Sequence, residues 1–374
     1  MKYSVISADC HIIEERNVFT RRMPAHLRER APQVLRHADG GDGWSWNGKP
    51  PAQSFGIEAV AGQGGNSKTF RPSGLKWEEL RPGNYDGAGH IADMKTDGVD
   101  ASVVFPNISM YSYVEPDREY GQAVMHAYND WLLEDFSSAD PARLIGLCEL
   151  PVNDGAEAAI AEMQRCLKKG AKGFFIPGIP QRPYCDLYYD PIWKAAAEAG
   201  APLVMHRTHG GQSQAALFST TAMPGFSVAG VAIRFFAAVE PFTLMIMTGV
   251  FQRHPQLKIV DAEVNCGWVP FWKATMDGLW ERQRVWEKFP FEGKPSDCLG
   301  KNVFVTTLDD YVGFEAMRTD AQMVDMTMYS TDYPHSVSLW PNSDKLIPVL
   351  TKGYDEASRA KVLAGNAVRV FGLA

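Results

Sequence analysis

A rhythm that begins near residue 90 constrains this 374-residue chain more than any other feature. Short runs rich in Val, Ile, Leu and Phe alternate there with stretches of helical periodicity. The runs are ASVVFPN (101–107), RLIGLCELP (143–151), AKGFFIPG (171–178), APLVMHRTHGG (201–211), LKIVDAEVN (257–265), NVFVTTLDD (302–310) and MTMYSTDYPHS (326–336). An eighth, ISADCH (6–11), stands at the N-terminus. They lack clean polar–apolar alternation, as expected of strands covered on both faces. Repeated β–α alternation argues a parallel sheet, and eight units in this length argue a closed (β/α)8 TIM barrel over an open doubly wound sheet. No GxGxxG follows the first run and no GxxxxGK[ST] occurs, which weakens a nucleotide-binding alternative. The expected architecture is one α/β barrel over residues 1–374, with a long irregular insertion, 14–89, after strand one. Its Gly-, Pro- and Trp-rich text (GGDGWSWNGKPPAQ, 40–53) reads as a functional cap and a candidate subunit contact. Trp44 and Trp46 in it read as packing, or as pocket wall.

Composition removes other classes. A formal net charge of −7, with no basic run, argues against a nucleic-acid partner. No apolar stretch is long enough to span a bilayer, and the N-terminus lacks the apolar core of a signal peptide, so a cytoplasmic protein is expected. The six cysteines show no CxxC spacing and read as reduced thiols.

In such a barrel the chemistry sits at the C-terminal ends of the strands, whatever the distance in sequence. The first run ends in Asp9-Cys10-His11. Strand residues two apart point the same way, so Asp9 and His11 face together as half of a metal site, while Cys10 points away into packing. The fifth run ends in His206, followed by Arg207 and His209. The sixth ends in Glu263, the seventh in Asp309-Asp310, and the eighth in Asp332 and His335. Singly, each has an ordinary explanation: a polar strand end, a buried hydrogen-bonded His206, an N-cap at Asp332, an ion pair for Glu263. Jointly, at one end of a barrel, they point to a metal centre.

Asp9-x-His11, His206 and Asp332, together with STDYPHS (330–336), Trp340-Pro341 and GWVPFW (267–272), resemble the amidohydrolase superfamily. More narrowly, they are similar to the amidohydrolase-related branch that contains aminocarboxymuconate semialdehyde decarboxylase. The resemblance implies that Asp9 and His11 take the place of the strand-one metal pair, with Asp for the first His. It implies that His206 is the strand-five ligand, and that Asp332 touches the metal and shuttles a proton. Decarboxylases of this branch usually carry a histidine on strand six, where this chain has Glu263. Lys172 stands at the wrong end of its run to become a bridging carbamate.

The expectation is therefore one divalent metal ion, zinc first, with manganese or iron as alternatives, and a second ion if Glu263 and His209 join the ligands. Asp332, Glu263 and His209 are the candidate catalytic groups. Arg207, Trp268, His335 and Trp340 are candidate substrate contacts, suited to a small aromatic or extended apolar molecule. The favoured reaction is hydrolysis of an acyl, ester, lactone or activated C–C bond by metal-activated water. Non-oxidative decarboxylation of an aromatic or unsaturated acid, as a carboxy-lyase, is the alternative. A homodimer or larger assembly is expected from the insertion and the family habit.

Overall fold

Each apolar run forms a barrel strand in the computed structural model, which describes residues 2–63, 68–206 and 226–374. The barrel strands are β1 (Ile6–His11), β2 (Ala101–Phe105), β3 (Leu144–Glu149), β4 (Gly173–Pro177), β5 (Leu203–His206), β6 (Ile259–Ala262), β7 (Val303–Thr307) and β8 (Thr327–Tyr329). All neighbours in the order β1 to β8 pair in parallel. The ring closes just beyond β8, where Asp332 N–H donates to the Asp9 carbonyl at 3.0 Å and His11 N–H to the Tyr333 carbonyl at 2.6 Å. Helices between the strands cover the outside, which is why the strands are buried on both faces.

Register sets which residues look inward. His206 pairs with Pro177 on one side and Ala262 on the other, so these three share one face. At the opposite end of the strands, Lys258 Nζ donates to the carbonyls of Arg369 and Val370, both at 3.2 Å, and so ties the C-terminal helix Asn366–Phe371 there. The other end is left to the polar strand termini.

The stretch between β1 and the helix Gly87–Asp97 holds a two-stranded hairpin, Val34–Arg36 with Asp42–Trp44, and several short turns. It has an aromatic core of its own. Phe19 packs on Trp44, Trp44 on Phe55 and Phe55 on Trp77, with ring centroids 5.7, 6.4 and 5.9 Å apart. Trp46 instead faces Tyr111 and Tyr120 and donates to Glu115 at 2.7 Å.

The stretch 117–137 is the helix Arg118–Trp131 with a wider turn after it, Leu132–Phe136. The stretch 228–251 is divided among Phe226–Arg234, Val239–Met247 and Val250–Arg253, with left-handed Gly249 at the last break. No helix among the described residues is long and apolar enough to cross a membrane.

Candidate metal centre

The strand ends bring Asp9, His11, His206, Glu263, Asp332 and His335 together. Asp9 and His11 point into the barrel from β1, while Cys10 turns outward to Ser7 and Thr331. His11 Nε2 is the hub. It lies 3.3 Å from Asp9 Oδ1, 3.2 Å from Asp332 Oδ1 and 3.2 Å from His206 Nε2. His206 Nε2 in turn lies 3.2 Å from Glu263 Oε2. Thr306, from β7, reaches Asp9 Oδ2 at 3.5 Å and accepts from Glu263 N–H at 2.9 Å.

A single proton cannot satisfy these contacts. One N–H on His11 Nε2 serves one acceptor, yet three polar atoms surround it at nearly equal range. Donor atoms bound at about 2.0–2.2 Å to one divalent ion stand about 3.0–3.5 Å apart at neighbouring positions. The observed separations fall in that interval, and two imidazoles with carboxylates suit zinc, manganese or iron. The residues present therefore fit a divalent cation.

The electrostatics agree. Burial disfavours a charged His11, but hydrogen bonds and attraction from Asp332 and Asp9 outweigh it and lift the imidazole to about 10. Burial also works against ionised Asp332, yet the His335 and His11 charges hold it well below the usual carboxylate range. Asp9, more weakly compensated, is pushed up by burial. The pocket favours positive charge at its centre, which His11 carries as a proton or a bound ion would carry instead.

Two backbone features place the acids. Glu263 has φ +58° and Asp332 has φ +49°, in the left-handed region that non-glycine residues seldom occupy. Since Ala262 shares its face with His206, a regular strand would send Glu263 outward. Its left-handed turn brings the carboxylate back to His206. Such strain gathers at functional sites.

His335 completes the group. Its Nδ1 lies 3.0 Å from Asp332 Oδ1, and its ring stacks on His11 with centroids 3.9 Å apart. Burial lowers its pKa against the pull of Asp332.

Of the remaining candidates, Trp268 and Trp340 are held in packing away from the cluster. Arg207 and His209 fall outside the described residues. Trp268 donates to the Val264 carbonyl at 2.9 Å and packs on Trp272. Trp340 sits behind β1, against Tyr333 and Cys10, under the Arg81 guanidinium at 4.6 Å. Its N–H donates to the Asp93 carbonyl. Asp310 caps the helix Tyr311–Met317 and holds the amides of Cys266 and Gly267. A residue without a signal in the sequence is Phe105, whose ring lies 5.4 Å from His11 and 5.5 Å from His206.

A family model described as Amidohydrolase matches residues 9–373. The chain belongs to the amidohydrolase family. Solved structures share its fold. An amidohydrolase from Mycobacterium avium subsp. paratuberculosis K-10 matches at TM-score 0.78 and 23% identity, over 100% of both chains. A 5-carboxyvanillate decarboxylase from Sphingomonas paucimobilis matches at TM-score 0.63 and 21% identity, over 100% of both chains. A dihydroxybenzoic acid decarboxylase from Polaromonas sp. JS666, with bound manganese and 2-nitroresorcinol, matches at TM-score 0.63 and 18% identity, over 100% of this chain and 98% of the other. Within the amidohydrolase family, then, this chain carries a buried His/Asp/Glu cluster at the family's strand ends.

Proposed function

We propose that the protein is a metal-dependent, non-oxidative decarboxylase of an aromatic or unsaturated carboxylic acid. The observation that carries this reading is the His335–Asp332 pair at 3.0 Å beside the hub. The sequence favoured hydrolysis because β6 ends in a carboxylate where an imidazole is usual in decarboxylases of the resembled branch. His335 supplies an imidazole from the turn after β8, so that ground for hydrolysis falls away. The decarboxylases of similar fold also support the reading.

Asp9, His11, His206 and Asp332 would hold the ion. When bound, it acts as a Lewis acid on the substrate's carboxylate and a neighbouring oxygen. Asp332 accepts from His335 Nδ1 and so fixes the ring's tautomer and direction. His335 then carries the proton that replaces CO2 on carbon, and recovers it from solvent, to which it is partly open. Phe105 gives an apolar wall beside the two ligand imidazoles and keeps water from them. The carboxylate-rich donor set suits manganese as well as zinc, and the manganese of the Polaromonas enzyme supports weighing it equally.

The test is incubation of metal-loaded protein with a panel of aryl and unsaturated acids in D2O and, in parallel, in H2¹⁸O. Release of CO2 with one deuterium on the carbon that lost it is expected. Product carrying solvent ¹⁸O, with no CO2 released, would establish hydrolysis instead and put Glu263 in the role of base.

A further inference from the structure

Asp332 sits at φ +49°, and a left-handed aspartate persists only where its surroundings hold it. Two main-chain bonds hold the turn to β1: Asp332 N–H to the Asp9 carbonyl, and His11 N–H to the Tyr333 carbonyl. A third tie runs through a side chain. Tyr333 reaches behind β1, beside Cys10 and Trp340, and its hydroxyl donates to Asp93 Oδ2 at 2.5 Å. A charged acceptor makes this a strong bond.

Asp93 is buried on the helix Gly87–Asp97 and is itself fixed. Arg81, near the end of the insertion, donates to both of its oxygens, Nη2 to Oδ1 at 2.5 Å and Nε to Oδ2 at 3.2 Å. Such a forked contact sets the carboxylate's direction as well as its charge. Gly83 leaves room for the meeting, because a Cβ there would collide with the Asp93 carboxylate and the Tyr333 hydroxyl. Tyr333 also lines a cavity of about 10 Å³ with Cys10, His90, Ser102 and Thr331. Packing therefore leaves the ring space to shift, and the hydroxyl bond sets where it rests.

We propose that Tyr333 and Asp93 are positioning residues for the metal centre. Their bond, aimed by Arg81, fixes the turn after β8 so that Asp332 and His335 meet His11 in the geometry that takes an ion. The insertion thus bears on ion binding through Arg81 without supplying a ligand of its own. The inference rests on the reading that Asp9, His11, His206 and Asp332 hold a divalent ion, and on no particular reaction.

Ion binding without turnover tests it. Mn²⁺ is titrated calorimetrically into the metal-stripped native protein, Tyr333→Phe, Asp93→Asn and Asp93→Ala, and the visible absorption of each cobalt(II) form is recorded. Tyr354→Phe is the control, because it loses a hydroxyl bond of the same kind, to the Phe314 carbonyl at 2.6 Å, outside this turn. Tyr333→Phe and Asp93→Ala should bind Mn²⁺ about 10–100-fold more weakly than the native protein and show altered cobalt absorption, since Asp332 is no longer held in place. Asp93→Asn keeps an acceptor for the hydroxyl and should fall between them and the native protein. Tyr333→Phe with Asp93→Ala should lose no more than either alone. Tyr354→Phe should match the native affinity and spectrum, whatever its melting temperature. Where Asp93→Ala does not fold, Tyr333→Phe and Asp93→Asn give the answer. Native affinity and spectrum in Tyr333→Phe, or an equal loss in Tyr354→Phe, would overturn the proposal and leave the metal centre standing. A native protein that takes up no ion would overturn the metal reading, and this inference with it.

Discussion

His11 Nε2 and His206 Nε2 face each other across 3.2 Å, joining strands that lie 195 residues apart in sequence. Two imidazole nitrogens take that position by sharing a proton or by sharing an ion. The acids flanking them, Asp9 and Asp332 on His11 and Glu263 on His206, make the shared ion the better solution.

His335→Gln should leave the ion in place and cut kcat by about 10²–10⁴-fold, the range of a lost general acid–base group. Elemental analysis alongside steady-state rates checks both halves. A variant that loses its metal would make His335 a ligand instead of a proton carrier.

Trp340→Phe separates packing from substrate binding. The variant gives up the N–H bond to Asp93 and weakens the stack under Arg81, at a cost of about 1–2 kcal/mol. Melting temperature should fall by a few degrees while kcat and KM stay within about twofold, because the ring lies behind β1. A large rise in KM would return Trp340 to the substrate contacts that the sequence suggested.

His90 gives the protein an acid limit. Burial lowers its pKa to about 4, although the Gly83 carbonyl at 2.9 Å pulls the other way. The unfolded chain takes up this proton near 6.5, so stability is flat above that pH and falls as pH drops from 6.5 to about 4. The loss is about 3 kcal/mol. Denaturant unfolding across this window should show a smaller slope in His90→Asn than in the native protein.

Glu149 acts in the opposite direction. Neither carboxyl oxygen has a hydrogen-bond partner among the described residues. Burial, then the charge of Glu14, raise it well above its usual 4.5, and Glu14 itself is held by the amides of Asn107, Ile108 and Ser109. The folded protein therefore keeps a proton that the unfolded chain releases above pH 4.5, and stability declines as pH rises beyond it. Glu149→Gln should gain stability relative to the native protein between pH 5 and pH 9. Parallel melting curves over that range would show that Glu149 is not protonated in the fold.

The barrel was legible because parallel strands buried on both faces leave continuous apolar runs, and the ends of those runs named Asp9, His11, His206 and Asp332. Glu263 was named without its geometry: alternation sends it outward, and only a left-handed backbone at φ +58° returns it to His206. His335 stands among the candidate substrate contacts in the sequence because the turn that stacks it on His11 leaves no periodic trace. Trp340 misled because an aromatic just past a strand end suits a mouth as well as it suits the gap behind β1. The insertion, held by the Phe19–Trp44–Phe55–Trp77 stack, showed no period because its contacts are tertiary.

Metal content of the purified protein, measured by elemental analysis beside His206→Ala and His335→Gln, tests the central claim most directly. About one equivalent of a divalent transition metal in the native protein and in His335→Gln, with loss in His206→Ala, is the predicted result. No metal in the native protein after reconstitution, or equal metal in His206→Ala, would contradict a shared ion between His11 and His206.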